Sequence, residues 1–429
     1  MTSRLHAVLW ADRDAQARTL MAVGFAVACI IYLAVIAATG IETEVMRDRF
    51  WKNAEPLFHG QFPPTEYPPL AMVFFAIPRL FGTTAWGYEV AYVAQMWVFI
   101  VVGLLLTDRM AVSMGRSRCR SMCVYSLLVL VLLEFVLDRF DMIVAVFMLA
   151  ALVLFIEKRT SLSFAMLAVA TLLKVIPVVL FPVFAVSLMA DGRQRDAAKG
   201  TVVYILVGAL TMAAFWIIEP ASVTSFLTYN GTRPLQIESV PAALLYPLSM
   251  TGTVDMWIQS ATDPGSFMSD NLRGPIPDAI ASVLLPFTVV ATAAVWLLSV
   301  SGSGSRCAPG HMALACAACM LMFLATNKVY SSQYLIWVVP FIILIDTAAP
   351  GGQARRIMSL FVALLVLTQI NFAYNVGHLG GGSNIDDAGM MILLARAVVH
   401  IVLLGICLKG LACRSDAVVD GRNGASLNP

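Results

Sequence analysis

Residues 162–190 read LSFAMLAVATLLKVIPVVLFPVFAVSLMA. The run is apolar, yet Lys174, Pro177 and Pro182 interrupt it. A lone charged side chain at the centre of a spanning helix costs about 2.5–3.5 kcal/mol on insertion scales. A proline inside a helix removes a hydrogen bond and clashes with the preceding turn. Read as one span, the segment puts the basic loop Arg193, Arg195, Lys199 outside. Read as a hairpin with its tip near Lys174–Pro177, it puts that loop inside; non-helical backbone at membrane depth is tolerated where it lines a protein cavity. Charge decides between the two. With the hairpin, the cytoplasmic pieces are 1–19, 108–121, 157–161, 191–199, 301–308, 349–356 and the tail after 408. They hold 18 of the 28 Lys and Arg, as the positive-inside rule requires. Both termini then face the cytoplasm.

The whole composition agrees. Of 429 residues, 59% are apolar and only 13% charged, against ~25% charged in a soluble domain. The mean hydropathy is +0.82. Such a chain cannot make the charged surface of a soluble globule, and it is too apolar for disorder. Apolar runs at 20–38, 89–107, 122–136, 141–157, 200–218, 276–300, 309–325, 333–348, 357–372 and 389–409 suit a hydrocarbon core of ~30 Å. The first could serve as a signal peptide, with Ala37-Ala38-Thr39 as a loose cleavage site; in a chain that spans many more times it reads as an uncleaved anchor. The expected fold is all-α: a polytopic transmembrane bundle of about ten spans, with re-entrant or interfacial helices near 67–82 and 162–190. A cytoplasmic segment 1–19 precedes a transmembrane body 20–409, and a polar, disordered tail 410–429 follows. The net charge of +2 suggests no nucleic-acid partner, so the lipid bilayer is the first partner. None of the eight cysteines lies in the polar outer loops, so no disulfide framework is expected. Cys316 and Cys319 stand in an apolar run and read as small buried hydrophobes. No phosphate-binding GxxxxGK[ST] loop, HExxH zinc motif or internal repeat is present.

The polar stretches collect on the predicted outer face. The first loop holds Glu42, Glu44 and Asp48, then His59, Gly60 and Glu66-Tyr67-Pro68-Pro69-Leu70. A carboxylate there can take a proton from a sugar hydroxyl within hydrogen-bond reach, or it can be plain solvated charge. The two prolines open a run, 70–82, too short to span. The next turn is Glu134-Phe-Val-Leu-Asp138-Arg139-Phe-Asp141. Interfacial charges also pair simply to be tolerated, and Asp141 could be a helix N-cap. Lys174 could snorkel to headgroups, or face a buried phosphate. The stretch Arg233-Pro-Leu-Gln236-Ile-Glu238-Ser239 suits recognition of anions and hydroxyls, because Arg grips phosphate with two parallel bonds; it also reads as an exposed loop. Lys328, Gln333 and Tyr334 lie in a polar link, where Tyr334 and Trp337 could be aromatic-belt residues. The grouping of His378 with Asp386-Asp387 offers too few ligands to predict a metal.

Taken in order, these stretches resemble glycosyltransferase family 87. The likeness rests on Asp48…Gly60…Glu66-Tyr-Pro-Pro-Leu70, Asp138-Arg-Phe-Asp141, Thr171-Leu-Leu-Lys174-Val-Ile-Pro177, Arg233-Pro-Leu-Gln-Ile-Glu238-Ser239 and Ser332-Gln333-Tyr334-Leu-Ile-Trp337, and it covers about 40–375. The chain has Phe50 where the family usually has Tyr, and Ser332 where it usually has Pro. The resemblance implies the GT-C architecture, with its active site on the non-cytoplasmic face of a plasma membrane, the inner membrane of a bacterium. It implies an inverting hexosyltransferase similar to actinobacterial mannosyltransferases, with a polyprenyl-phosphate sugar as donor and a glycolipid or envelope glycan as acceptor. Asp48 best matches the base, with Glu44 near enough to compete. Lys174, Arg233, Lys328 and Arg139 become candidates for the donor phosphate; Glu66, Tyr67, Asp138, Asp141, Gln236, Glu238, Gln333 and Tyr334 become candidates for substrate contact. No cofactor is expected, and a metal is not required where cations stabilise the leaving phosphate. A transporter or flippase of lipid-linked glycans is the competing reading, favoured by Lys174 and by Arg396 within a span. It predicts repeats and a polar path to both faces. A non-catalytic envelope subunit is a third.

Overall fold

The computed structural model describes residues 2–40, 43, 50–63, 65–301, 304–379 and 387–412, with side chains from Arg13 onward save 375–379. The fold is an all-α, multi-pass membrane protein. Seven helices are long and apolar enough to cross a membrane: Arg13–Thr39, Ala85–Ser113, Gln194–Ile218, Pro275–Val300, Pro309–Thr326, Gly352–Tyr374 and Asp387–Ala412. Each coincides with a run expected from hydropathy. The other three runs form shorter helices. Arg118–Val131 has 14 residues and reaches about 21 Å at 1.5 Å per residue; it stops at Leu132, and a second short helix, Leu133–Asp138, follows. Asp141–Ile156 and Ser332–Ala348 are likewise short, the latter opening as a 3-10 turn. Asp48, Glu44, Glu42, Asp386 and the tail after Ala412 lie outside the described residues, as does the side chain of His378.

The decisive stretch breaks where its sequence demands. Helix Thr160–Leu173 ends at Lys174, whose backbone is extended (φ −154°, ψ 130°). A 3-10 turn, Ile176–Leu180, carries Pro177, and helix Phe181–Ala190 has Pro182 in its first turn, the position where a missing N–H costs nothing. Pro69 likewise opens the 13-residue helix Pro69–Phe81.

The chain folds as two compact units, residues 1–178 with 198–228 and residues 179–197 with 229–429. In the first, Ala85–Ser113 is the hub; it packs against Thr2–Thr39, Pro69–Phe81, Arg118–Val131 and Asp141–Ile156. Asp108 near its end is clasped by Arg118 at 2.6 Å and 2.8 Å and by Arg18 at 2.8 Å. Arg109 beside it grips Glu157 with two bonds of 2.6 Å. Helix Gln194–Ile218 instead turns apolar residues outward to lipid, including Ile205, Leu210 and Ile217.

In the second unit, Pro309–Thr326 is the hub. It packs against Phe181–Ala190, Pro275–Val300, Val339–Ala348 and Asp387–Ala412. Its small residues Ala313, Ala315, Cys316, Ala317, Ala318 and Cys319 are fully buried. Without a hydrophobic drive between helices in lipid, small side chains let backbones approach; the two cysteines are buried, as their apolar setting predicts. The unit adds an element hydropathy does not announce. Strands Leu235–Gln236, Asn271–Arg273 and Trp257–Gln259 form an antiparallel sheet with Asn271–Arg273 in the middle. Gln236 pairs with Asn271, and Asn271 with Gln259.

Gly103 shows how tight the first hub is. The Tyr125 hydroxyl donates to the Ile100 carbonyl at 2.7 Å. A Cβ on Gly103 would stand 2.3 Å from that hydroxyl. Tyr125 is buried and cannot swing aside. Gly103→Ala should therefore cost about 1–3 kcal/mol, read as a lowered Tm of the purified protein in detergent. An unchanged Tm would show that the helix pair is looser than described.

Candidate active site

Candidate residues gather in two clusters, one in each unit. In the first unit, Asp141 is the first residue of its helix and Phe140 holds the N-cap position, so the N-cap expectation is not met. Its carboxylate instead takes the Lys174 ammonium at 2.7 Å, with both side chains largely buried. The lysine lies 5.9 Å from the Tyr67 ring and 5.4 Å from the Phe140 ring, within cation–π range. Phe50, fully buried, stacks on Phe75 at 4.4 Å and meets Tyr92, Tyr67 and Phe140. The cost of a buried lysine is thus met by an opposite charge and an aromatic wall. Arg139 pairs with Asp138 at 3.1 Å. Glu66 is half-buried. Beside it, the Thr65 amide donates to Ser225 at 3.3 Å, tying this loop to helix Pro220–Thr232.

In the second unit, Glu238 is a hub. One carboxylate oxygen accepts from Ser332 at 2.9 Å, Asn371 at 3.1 Å and Arg396 at 3.3 Å; the other accepts from Gln236 at 3.1 Å. Gln236 binds the facing link along its length. Its amide N–H donates to the Lys328 carbonyl at 3.0 Å, and its side-chain oxygen takes the Tyr330 N–H at 2.9 Å. Arg396, the in-span arginine that suits a transport path, is 1% exposed. It lies 4.2 Å over the Tyr330 ring. His400, one turn further on, points Nε2 at the Leu321 carbonyl at 2.9 Å. A carbonyl only accepts, so Nε2 carries the hydrogen and Nδ1 takes the Tyr330 hydroxyl at 3.0 Å. Burial pushes the Tyr330 phenol up to about 12, so it keeps its proton. Arg396, Tyr330, His400 and Glu238 form a connected polar brace. Asn371 and His400 gave no sequence signal; Arg396 did, as a charge inside an apolar run.

Outside that brace stand Arg233 and Lys328. Lys328 donates to the Gly231 carbonyl at 2.7 Å, and Arg233 to the Ser269 hydroxyl at 3.2 Å. Among the described residues neither pairs with a carboxylate. Burial and the neighbouring Arg233 charge together hold the Lys328 ammonium below the usual lysine range. Two neighbouring cations, partly buried and with no carboxylate partner among the described residues, suit a phosphate. Tyr334 stacks on Trp337 at 4.1 Å and is buried, whereas Gln333 is half-buried. Asp387 accepts from the Tyr246 hydroxyl.

Residues 65–327 match the model of glycosyltransferase family 87, well over half the chain. The chain belongs to glycosyltransferase family 87. No curated protein matches it in sequence. Among solved structures it is similar to ArnT from Cupriavidus metallidurans bound to undecaprenyl phosphate. That likeness has 14% identity and a TM-score of 0.45, and covers 90% of this chain and 77% of the other.

The Lys174–Asp141 pair should behave as a buried bridge. Lys174→Met leaves Asp141 unpaired at a cost of about 3–5 kcal/mol. The double variant K174M/D141L should recover most of that in Tm. A single variant as stable as wild type would show that the carboxylate reaches water.

Proposed function

We propose that this chain transfers a hexosyl group, mannose by its resemblance, from a polyprenyl phosphate to a glycolipid or envelope-glycan acceptor on the non-cytoplasmic face. The reading starts from the family and from the positive-inside charge pattern, which favours cytoplasmic termini. The observation that carries it is the Arg233–Lys328 pair, two adjacent cations with no carboxylate partner among the described residues. Lys174 and Arg139, the other candidates for the phosphate, already hold Asp141 and Asp138. The donor phosphate is therefore assigned to Arg233 and Lys328.

The chemistry is a single displacement. An acceptor hydroxyl attacks the anomeric carbon, the bond to the phosphate oxygen breaks, and the anomeric centre inverts. The proton goes to a carboxylate of the first outer loop, Asp48 by resemblance, with Glu44 the competitor. The leaving group is a polyprenyl phosphate, whose growing negative charge Arg233 and Lys328 stabilise. Gln236 and Glu238, candidates for substrate contact, have their side-chain oxygens engaged within the brace, so they frame the site and are not free acceptors for a sugar hydroxyl. The transport reading loses two of its supports, because Arg396 is enclosed by Glu238 and Tyr330 and Lys174 is paired with Asp141.

The test is sugar transfer in membranes from a labelled polyprenyl-phosphate mannose. Arg233→Met and Lys328→Met should each raise the donor KM roughly 10- to 100-fold, the equivalent of ~1.5–3 kcal/mol for a hydrogen bond to a charged group. Asp48→Ala should lose about 10²–10⁴ in kcat, and Glu44→Ala far less. The pH profile carries a sign. Phosphate binding needs Lys328 protonated, and its pKa is lowered. The alkaline fall of kcat/KM, which reports the free enzyme, should then begin below the ordinary lysine value of ~10.4. In Lys328→Arg it should move upward, since arginine stays charged. An unchanged donor KM in folded R233M and K328M would overturn the reading.

A further inference from the structure

The turn Ser266–Asn271 carries a strain that its own packing does not explain. Phe267 and Met268 are consecutive non-glycine residues with φ of +57° and +53°. In that left-handed region an L side chain crowds the following carbonyl. Such conformations persist only where the surroundings over-determine them, and they cluster where the strain serves a site. Met268 is 60% exposed, so the turn is not held to bury it.

The surroundings do over-determine it. Asn271 is fully buried and donates from Nδ2 to the Ser266 and Ser269 carbonyls, both at 2.7 Å. It is itself fixed in the middle strand, opposite Gln236. The Asp270 carbonyl takes the Ile237 N–H at 3.1 Å. The chain is thereby pinned at its exit to the strand that begins two residues after Arg233.

The product of this geometry is a grip on Arg233. The Ser269 hydroxyl lies 3.1 Å from both the Ser266 carbonyl and Asn271 Oδ1. A hydroxyl has one hydrogen and two lone pairs, so it gives its hydrogen to one of these and accepts the Arg233 Nη2 hydrogen at 3.2 Å. The guanidinium also lies 5.9 Å from the Tyr229 ring. That ring meets Phe267 edge-on at 4.9 Å. Both contacts on the guanidinium depend on the strained residues: Phe267 backs Tyr229, and the turn aims Ser269.

We propose that Ser269 and Asn271 are positioning residues, and that the strained turn exists to aim Arg233 at the phosphate of a polyprenyl-phosphate lipid. The inference rests on the assignment of Arg233 and Lys328 to that phosphate. It adds a specificity element that selects a phosphate through a fixed guanidinium and not through charge alone.

The experiment measures the Kd of polyprenyl phosphate for the purified full-length protein in nanodiscs. Ser269→Ala should weaken binding roughly 10-fold, the scale of a hydrogen bond to a charged group, while Ser269→Thr, which keeps the hydroxyl, should rescue it. Asn271→Ala should weaken binding similarly. Adding Met268→Gly in that background should restore most of the affinity, because glycine adopts positive φ without strain. A residue that merely filled space would not be rescued by a glycine three positions away. Should N271A fail to fold, the S269A and S269T pair decides alone. If S269A and N271A bind as wild type while R233M is weakened, the turn is not a positioning device and the phosphate site stands. If R233M also binds as wild type, the phosphate assignment itself falls and this inference with it.

Discussion

A charge carried into an apolar helical bundle must meet its opposite, and that constraint organises this chain. A solitary ion in hydrocarbon costs several kcal/mol, and several of the buried charges come matched. Lys174 has Asp141, Arg118 and Arg18 share Asp108, and Arg396 has Glu238 with Tyr330 beneath it. Two of these matches join segments far apart in sequence. Arg396 and Glu238 are separated by 158 residues, and Arg18 and Asp108 by 90. The pairs therefore fix how helices with nearly featureless apolar surfaces pack within their unit.

Under the proposed function, the same constraint sorts structural charges from chemical ones. Where a cation has a carboxylate partner it is spent on the fold, and the matched groups around Glu238 form a rigid frame. Gln236 extends that frame across the link that carries Lys328. At its edge lie Arg233 and Lys328, close enough that one depresses the other's affinity for a proton. Under the proposed function, the donor's own phosphate completes the pairing, so that substrate binding and charge compensation become one event.

How much of this was legible in the sequence follows from the range of the interactions. The break at Lys174 was legible because Pro177 acts on its own turn. The helices were legible because each apolar run declares itself locally, although Arg118–Val131, Asp141–Ile156 and Ser332–Ala348 are shorter than full crossings. The sheet was not, since strands of two or three residues leave no periodic signal. At the site, the residue types were readable but their partners were not. Asp141 stood out as an acid opening a helix, yet its partner lies 33 residues on, and a hydropathy pattern carries no such distance. Likewise Arg396 was visible as an isolated charge, whereas Asn371 and His400 look like ordinary polar residues until the helices pack. The positive φ at Phe267 and Met268 has no signature in residue types that normally avoid it.

The most direct test of the central claim asks which cations meet the lipid phosphate. A polyprenyl phosphate bearing a photoreactive group beside the phosphate can be crosslinked to the full-length protein in nanodiscs and mapped by peptide mass spectrometry. Label is expected in residues 229–239 and 327–331, and its loss in an R233E/K328E variant. Label at Lys174 or Arg139 with none at 229–239 or 327–331 would contradict it, because it would mean that the matched charges, not the unmatched ones, receive the substrate.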